Sequence, residues 1–374
     1  MNTRTFFIII TLLLFACTLT PQPTVQATAS PTPPNSQAIP QVPTSSPPPP
    51  RPASPPGGAP THDGCPVFPA DNIWNARVDQ LPVHPMSDTY IESISLDGDD
   101  YLHPDFGSGV WPPGSNSPIG IPFVTVPGIQ PTVPISYTAY GDESDPGPFP
   151  IPPDAPIEGG PDSDGDRHVL VLDRDNCVLY ELYSAFPDGS GGWLADSGAV
   201  YDLNVNGPLR PDGWTSADAA GLPILPGLVR YDEVMAGAIH HAIRFTAPYT
   251  QNTYVWPARH HAGHPDTAYP PMGIRLRLKA SFDISGYSPE MQVILTALKQ
   301  YGMILADNGS GWYLSGAPNE AWDNDMLHEM DDVPGTAFEV VDASVLMVDD
   351  NSGQVRSWPP AFTDILFLPV LVRQ

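Results

Sequence analysis

The sequence predicts a mainly β fold, an antiparallel sandwich or jelly roll in one domain with a few peripheral helices. Short apolar runs alternate with clusters of Pro, Gly and Asp, so turn signals recur every roughly 8–15 residues. Proline accounts for 50 of the 374 residues, which argues against a helical bundle because an interior proline costs a helix about 3 kcal/mol. Neither an internal repeat nor a second linker divides residues 63–374.

The individual elements follow from local patterns. Alternating or continuous apolar runs predict strands at residues 121–126, 168–172, 178–183, 242–246, 253–256, 274–279, 338–341 and 344–348. Ser288 as N-cap, Pro289 at the first helical position and apolar residues at helical spacing predict a helix that Gly302 ends. Weaker patterns predict short helices at 231–238 and 320–330, and the apolar run 365–372 predicts a final edge strand.

Residues 1–16 have the features of a secretory signal peptide. Arg4 supplies the positive charge, and the apolar residues 6–15 are too few to span a bilayer. The segment Leu14-Phe15-Ala16-Cys17 resembles the lipobox of bacterial lipoproteins, which implies that Cys17 is acylated and becomes the new N-terminus. We therefore expect a protein lipid-anchored at the bacterial cell surface; a plain signal peptide cleaved after Ala16 is the alternative.

Residues 17–62 are predicted to be a disordered, lipidated tether. Fifteen prolines fall within residues 18–60, and Arg51 is the only charge. Such a segment cannot bury enough apolar surface to offset the entropy lost on ordering, and its proline runs favour an extended chain. We expect it to hold the domain 63–374 away from the membrane.

The charge balance excludes several classes of partner. All 42 acidic residues follow residue 60, against 13 basic ones, so the domain carries a net charge of about −29. A surface of that sign repels nucleic acid. Motifs for nucleotide or c-type haem binding are missing from the sequence, so no nucleic-acid or nucleotide partner is expected.

The three cysteines suggest one disulfide. If Cys17 carries lipid, Cys65 and Cys177 remain, and an oxidising compartment would join them. Two buried free thiols are the alternative. A zinc site is not expected, because neither residue has a second Cys or His at ligand spacing.

Two strands place ionisable residues where catalysis could use them. Glu181 lies in the middle of a strand that is apolar on both faces, and a buried carboxyl must be paired or its pKa rises, as a general acid requires. Arg244, in another strand, is the natural partner of Glu181 or of a substrate carboxylate. The neighbouring His241 could act with them or be a hydrogen-bonded core histidine, and Glu181 could form a purely structural ion pair.

Two loops contribute further candidates. His260 belongs to a histidine-rich segment, 259–266, which predicts an acid–base residue, with a metal site or plain loop histidines as alternatives. Asp162, Asp164 and Asp166 alternate as in a calcium loop, although Gly165 does not stand where an EF-hand has its glycine. Calcium is the one cofactor that the sequence suggests.

Trp and acidic or amide residues near one another in loops suit sugar binding, because the ring stacks on the apolar sugar face while polar groups take the hydroxyls. Core or loop packing is the alternative for each. The candidates for substrate binding are Trp214, Asp218, Asp307, Asn308 and Trp312.

Five segments, 165–171, 213–223, 241–246, 256–260 and 306–310, resemble a family of secreted bacterial proteins known only as uncharacterised. That resemblance implies secretion and brings no reaction with it. From the residues, we predict an extracellular carbohydrate-active enzyme, either a glycoside hydrolase or a polysaccharide lyase, with an extracellular glycan as partner. A non-catalytic lipoprotein that binds carbohydrate or another surface is the alternative.

Overall fold

A computed structural model describes residues 58–357. The strands among them are β1 Thr61–His62, β2 Cys65–Pro66, β3 His103–Asp105, β4 Phe123–Val126, β5 Ile135–Tyr137, β6 Val169–Asp173, β7 Val178–Tyr183, β8 Phe186–Pro187, β9 Trp193–Ala195, β10 Ser197–Asp202, β11 Ile243–Ala247, β12 Arg275–Leu278, β13 Met303–Asn308, β14 Tyr313–Ser315 and β15 Phe338–Val341. The α-helices are α1 Ser87–Ile94, α2 Tyr231–Ala236, α3 Pro289–Gln300 and α4 Asn324–Leu327. Short 3-10 segments occur at Ile73–Asn75, Gly141–Glu143, Leu225–Gly227, His328–Asp332, Gly335–Ala337 and Ala343–Leu346.

The strands form four sheets. The largest has the order β15-β12-β13-β11-β14-β3, the next β10-β7-β6-β4, and the smaller ones β5-β9-β8 and β1-β2. The mainly β prediction is confirmed. The prediction of purely antiparallel pairing is wrong, because β11 runs parallel to β13, β14 to β3, β4 to β6 and β5 to β9. A sandwich or jelly roll is therefore not confirmed.

The longest helix forms as its sequence predicts. The Ser288 hydroxyl accepts a hydrogen bond from the Met291 amide at 3.3 Å, and Gly302 follows the helix with a φ of +67°. Residues 320–330 give only α4 and part of a 3-10 segment, and 253–256 forms no strand. Residues 344–348 also form no strand, because Asp342 caps a 3-10 turn there through the Ser344 amide.

The four-stranded sheet is buried on both faces, between two apolar cores. Along β6, Leu170 and Leu172 pack into the larger core, whereas Val169 and Val171 pack into the smaller one. The larger core also takes α3 and the six-stranded sheet. Strand alternation thus assigns the apolar side chains of β6 to the two cores in turn.

Several predictions lie outside the described residues: the signal peptide, acylation of Cys17, most of the 17–62 tether, and the strand at 365–372. Within residues 58–357, no helix is long and apolar enough to cross a bilayer.

The disulfide between Cys65 and Cys177 is confirmed, with Cα atoms 5.3 Å apart. It joins β2 to the residue just before β7, across 112 positions of the sequence. Both cysteines are buried in the larger core. The bond therefore fastens the start of the domain to its central sheet.

We expect the double substitution Cys65→Ser/Cys177→Ser to lower the free energy of unfolding, because the open chain gains entropy when it unfolds. A closed loop of this length gives about 4–5 kcal/mol as an upper figure. Urea unfolding of the oxidised protein and of the variant measures the difference, and reduced wild-type protein should unfold like the variant. Equal stability of all three would contradict a stabilising role.

Candidate active-site cleft

An acidic cleft with two connected lobes opens beside the six-stranded sheet. The first lobe has a volume of about 210 Å³, and its ionisable walls are Asp105, Glu158, Asp166, His168, Arg244, Asp307 and Tyr313. The second lobe, of about 310 Å³, shares Asp166, Asp307 and Asn308 with the first and extends to Asp218 and His260. We call the two lobes together the acidic cleft.

Strand pairing brings the central residues of the cleft together. Arg244 lies in β11 and Asp307 in the parallel neighbour β13, where a register shift sets Asp307 opposite Thr246. Asp105 ends β3, at the other side of the first lobe. The strand registers thereby place Arg244, Asp307 and Asp105 on one face of the sheet.

Arg244 is buried and fully engaged. Its Nε and Nη2 atoms donate to the two carboxylate oxygens of Asp218 at 2.8 and 2.6 Å. Nη2 also reaches Asp307 at 3.1 Å, and Nη1 donates to the Ser315 hydroxyl at 2.5 Å. Every nitrogen of the guanidinium thus has a partner within the protein.

The surroundings of Asp307 favour the protonated form of its carboxyl. Burial and the negative charge of Asp218 raise the pKa of Asp307 well above its usual range, and Arg244 opposes this shift. Its Oδ1 accepts a hydrogen bond from the Asn308 amide at 2.8 Å. The side chain is 18% exposed, so it can reach a ligand in the cleft.

Both ring nitrogens of His168 face oxygen acceptors, which favours the protonated form of the imidazole. Nδ1 lies 2.5 Å from the Glu158 carboxylate, and Nε2 lies 2.9 Å from the Ala217 carbonyl. Burial lowers the pKa of His168, but the charge and hydrogen bond of Glu158 outweigh it and raise the pKa to about 9. For the acidic Glu158, burial raises the pKa. The charge and hydrogen bonds of His168 more than reverse this effect and lower the pKa of Glu158, which favours its ionised form.

The first lobe of the acidic cleft offers an incomplete set of metal ligands. Candidate ligand atoms of Glu158, Asp166 and His168 lie within 4.8 Å of one another. The hydrogen bonds of His168 occupy both of its nitrogens, which leaves two carboxylates, and such oxygens suit calcium. Of the predicted calcium residues, Asp166 lines the cleft, whereas Asp162 and Asp164 are exposed outside this group. Calcium binding stays a prediction.

Glu181 is fully buried and lines neither lobe of the cleft. Its carboxylate accepts hydrogen bonds from the amides of Ile224 at 3.0 Å and Leu225 at 2.9 Å, at the start of a 3-10 turn. Burial raises the pKa of Glu181 to about 7, against the lowering effect of those two amides. Its partners are therefore backbone groups and not the Arg244 that the sequence suggested, and this position favours a structural part for Glu181.

The two histidines predicted to act in catalysis lie in different places. His241 is buried, donates from Nδ1 to the Ala242 carbonyl at 2.8 Å and lies 3.1 Å from Glu233 through Nε2. It does not line the cleft. His260 lines the second lobe, with Nδ1 2.8 Å from the Ala219 carbonyl.

Some of the predicted sugar-binding residues line the cleft and others do not. Asp218, Asp307 and Asn308 meet in the cleft. Trp312 is buried and donates from Nε1 to the Ser95 hydroxyl at 3.0 Å, and the half-buried Trp214 lines neither lobe. The aromatic walls of the cleft are instead Tyr140, Tyr183 and Tyr313.

Sequence reasoning did not single out Asp105, Glu158 or His168. His168 opens a predicted strand, and a histidine beside a run of buried valines and leucines was the available signal. Asp105 and Glu158 belong to stretches rich in Pro and Gly without any periodicity. Their part in the cleft follows only from how the chain packs.

Comparison with known proteins gives no match. No family model matches the sequence, and neither a curated protein nor a solved structure is significantly similar to the chain. The resemblance to secreted bacterial proteins therefore stays a prediction, and functional argument rests on the cleft itself.

We expect Arg244→Met to lower the free energy of unfolding by about 3–5 kcal/mol, because it leaves the buried Asp218 carboxylate without its cation. Urea unfolding measures this loss. The matched double variant Arg244→Met/Asp218→Asn should be less destabilised than the sum of the two single variants, since it removes the stranded charge as well. Additive losses would show that the pair is not coupled.

Glu181 should make stability depend on pH. Its folded pKa of about 7 lies above the ordinary value of 4.5, so the unfolded chain loses this proton first and the free energy of unfolding falls as pH rises through that window. Glu181→Gln should remove this contribution, so the variant gains stability relative to wild type between those pH values. The exposed Glu320→Gln serves as control and should show a flat difference. A flat difference for Glu181→Gln too would contradict the assignment.

Proposed function

We propose that the acidic cleft is the active site of a glycoside hydrolase that cleaves an uncharged glycan outside the cell. One observation carries the proposal: two carboxyls, Asp307 and Glu158, line the same cleft, and their different neighbours shift their pKa values in opposite directions, upward for Asp307 and downward for Glu158. Hydrolysis of a glycosidic bond needs one carboxylic acid and one carboxylate flanking the bond.

Each residue has a defined part in this mechanism. Asp307 gives its proton to the glycosidic oxygen as the bond to the leaving sugar breaks, and Arg244 stabilises the carboxylate that results. Glu158 acts as base or nucleophile on the other side of the sugar, with His168 fixing one carboxylate oxygen. Water supplies the hydroxyl of the product, and its remaining proton goes to a cleft carboxylate.

The charge of the cleft favours a hydrolase over a polysaccharide lyase. A lyase must neutralise the carboxylate of a uronate, and Arg244 already bonds to Asp218, Asp307 and Ser315. Asp105 and Asp166 add further negative charge to the walls. A uronate would be repelled, whereas the hydroxyls of a neutral sugar could bond to these carboxylates.

Location and attachment are part of the proposal. The disulfide supports an oxidising compartment, and the signal peptide and the lipobox-like Cys17 support a lipid anchor in the membrane. The tether would then present the domain to extracellular glycans. A binding-only role has less support, because Trp214 and Trp312 do not line the cleft.

We expect the protein to release reducing ends from at least one neutral polysaccharide in a panel of plant, fungal and bacterial cell-wall glycans. Asp307→Asn and Glu158→Gln should each lower kcat by about 100-fold or more, as loss of acid–base catalysis does. The conservative variant Glu181→Gln should retain wild-type activity. Thermal melting of all variants separates loss of catalysis from loss of folding.

The pH profile of kcat/KM should have its acidic limb below the usual carboxyl range, where Glu158 is protonated, and its alkaline limb above it, where Asp307 loses its proton. Unsaturated uronate among the products would show a lyase. Glycan binding without cleavage would show a binding protein. Full activity of a folded Asp307→Asn variant would remove that residue from the mechanism.

A further inference from the structure

The two lobes of the acidic cleft differ in which of the reacting groups they contain. Asp307 lines both lobes, whereas Glu158 and His168 line the first lobe only. In the proposed hydrolysis, Glu158 faces the sugar that is attacked, and Asp307 faces the oxygen between that sugar and the leaving one. The bond that breaks would therefore lie where the lobes meet, with the leaving sugar in the second lobe.

The second lobe offers such a sugar both an aromatic ring and a hydrogen-bonding group. Tyr183 is half-buried in its wall and packs against His168, with ring centroids 5.7 Å apart. His260, also in the wall, donates from Nδ1 to the Ala219 carbonyl at 2.8 Å, and its Nε2 has only a long contact of 3.8 Å to Glu143. A sugar hydroxyl can donate or accept, so it can bond to this nitrogen whether or not the imidazole is charged.

A column of stacked rings continues from His260 beyond the second lobe. The rings of His260 and His261 lie within 4° of parallel, with centroids 5.6 Å apart, and those of His261 and Tyr254 lie 6.3 Å apart at 22°. Neither His261 nor Tyr254 lines a lobe, and His261 is exposed. These three rings, which we call the ring column, therefore lead from the wall of the lobe to the open surface.

Hydrogen bonds on both sides hold the ring column in place. The Tyr254 hydroxyl donates to the Asp212 carboxylate. Just beyond the histidine pair, the His264 amide donates to the Thr250 carbonyl at 2.8 Å. Because the rings are already ordered, a ligand that packs on them causes little further loss of conformational entropy.

We propose that the second lobe binds the leaving sugar of the glycan and that the ring column binds the next sugar along the same leaving chain. This inference rests on the proposed hydrolase, and it narrows the substrate to neutral glycans with at least two sugars on the leaving side of the bond. Aromatic rings and imidazole nitrogens suit the apolar faces and the hydroxyls of sugars. Glu143 and Asp212, beside the column, disfavour an acidic polymer.

The test compares two substrates: the neutral polysaccharide that the protein hydrolyses in the panel, and the glycosyl fluoride of its attacked sugar in the same anomeric form. Fluoride is a leaving group of one atom, so it cannot reach the ring column. His261→Ala should lower the ratio of kcat/KM for the polysaccharide to kcat/KM for the fluoride by about 3–10-fold, as expected for the loss of one ring contact. His261→Phe, which keeps a ring, should restore most of this ratio.

The matched control is His264→Ala, which removes an exposed histidine outside the ring column and should leave the ratio unchanged. A merely structural effect of His261→Ala would lower kcat/KM for both substrates alike, and the unchanged ratio would overturn the inference while leaving the hydrolase intact. An equal fall of the ratio in His264→Ala would overturn it too. Absence of hydrolysis of every glycan in the panel would overturn the proposed function, and this inference with it.

Discussion

The bidentate ion pair between Arg244 and Asp218 is the constraint on which the cleft depends. A guanidinium buried in β11 must be paired, because an unpaired charge there costs several kcal/mol. Asp218 comes from the loop that precedes residue 224, so pairing fixes this loop against the sheet. The residue before it, Ala217, accepts from His168 through its carbonyl. One loop therefore sets the surroundings of both Asp307 and Glu158.

The cleft is acidic because the protein has few basic residues, 15 Lys and Arg against 42 Asp and Glu. Among the few basic residues between positions 58 and 357, six arginines are buried and bonded inside the protein: Arg167, Arg210, Arg230, Arg244, Arg275 and Arg277. Many of their acceptors are backbone carbonyls, which leaves carboxylates elsewhere without a cation. Asp105 and Asp166 both line the cleft, where they add to the negative charge of Glu158 and Asp307. The folded protein therefore buries these arginines, and the carboxylates that line the cleft outnumber its basic groups.

Local patterns in the sequence predicted what depends on local physics. The cap and stripe of α3, the burial of Glu181 and the disulfide follow from spacing and composition, and the structure confirms them. Strand alternation does not encode which strand pairs with which, so the parallel pairs were missed. It also could not show that Glu181 bonds to the amide of Ile224, 43 residues away, and leaves Arg244 to Asp218.

Asp218 matters for chemistry as well as for folding. It neutralises Arg244 through two hydrogen bonds, so the guanidinium does less to ionise Asp307, and its own charge favours the protonated form of Asp307. In the same lobe, the charge and hydrogen bonds of His168 lower the pKa of Glu158. Fixed neighbours in the folded protein thus shift the two pKa values in opposite directions, and no solvent reorganisation is needed to create these surroundings. In the proposed mechanism, this pair would supply an acid and a base at one pH, as cleavage of a glycosidic bond requires.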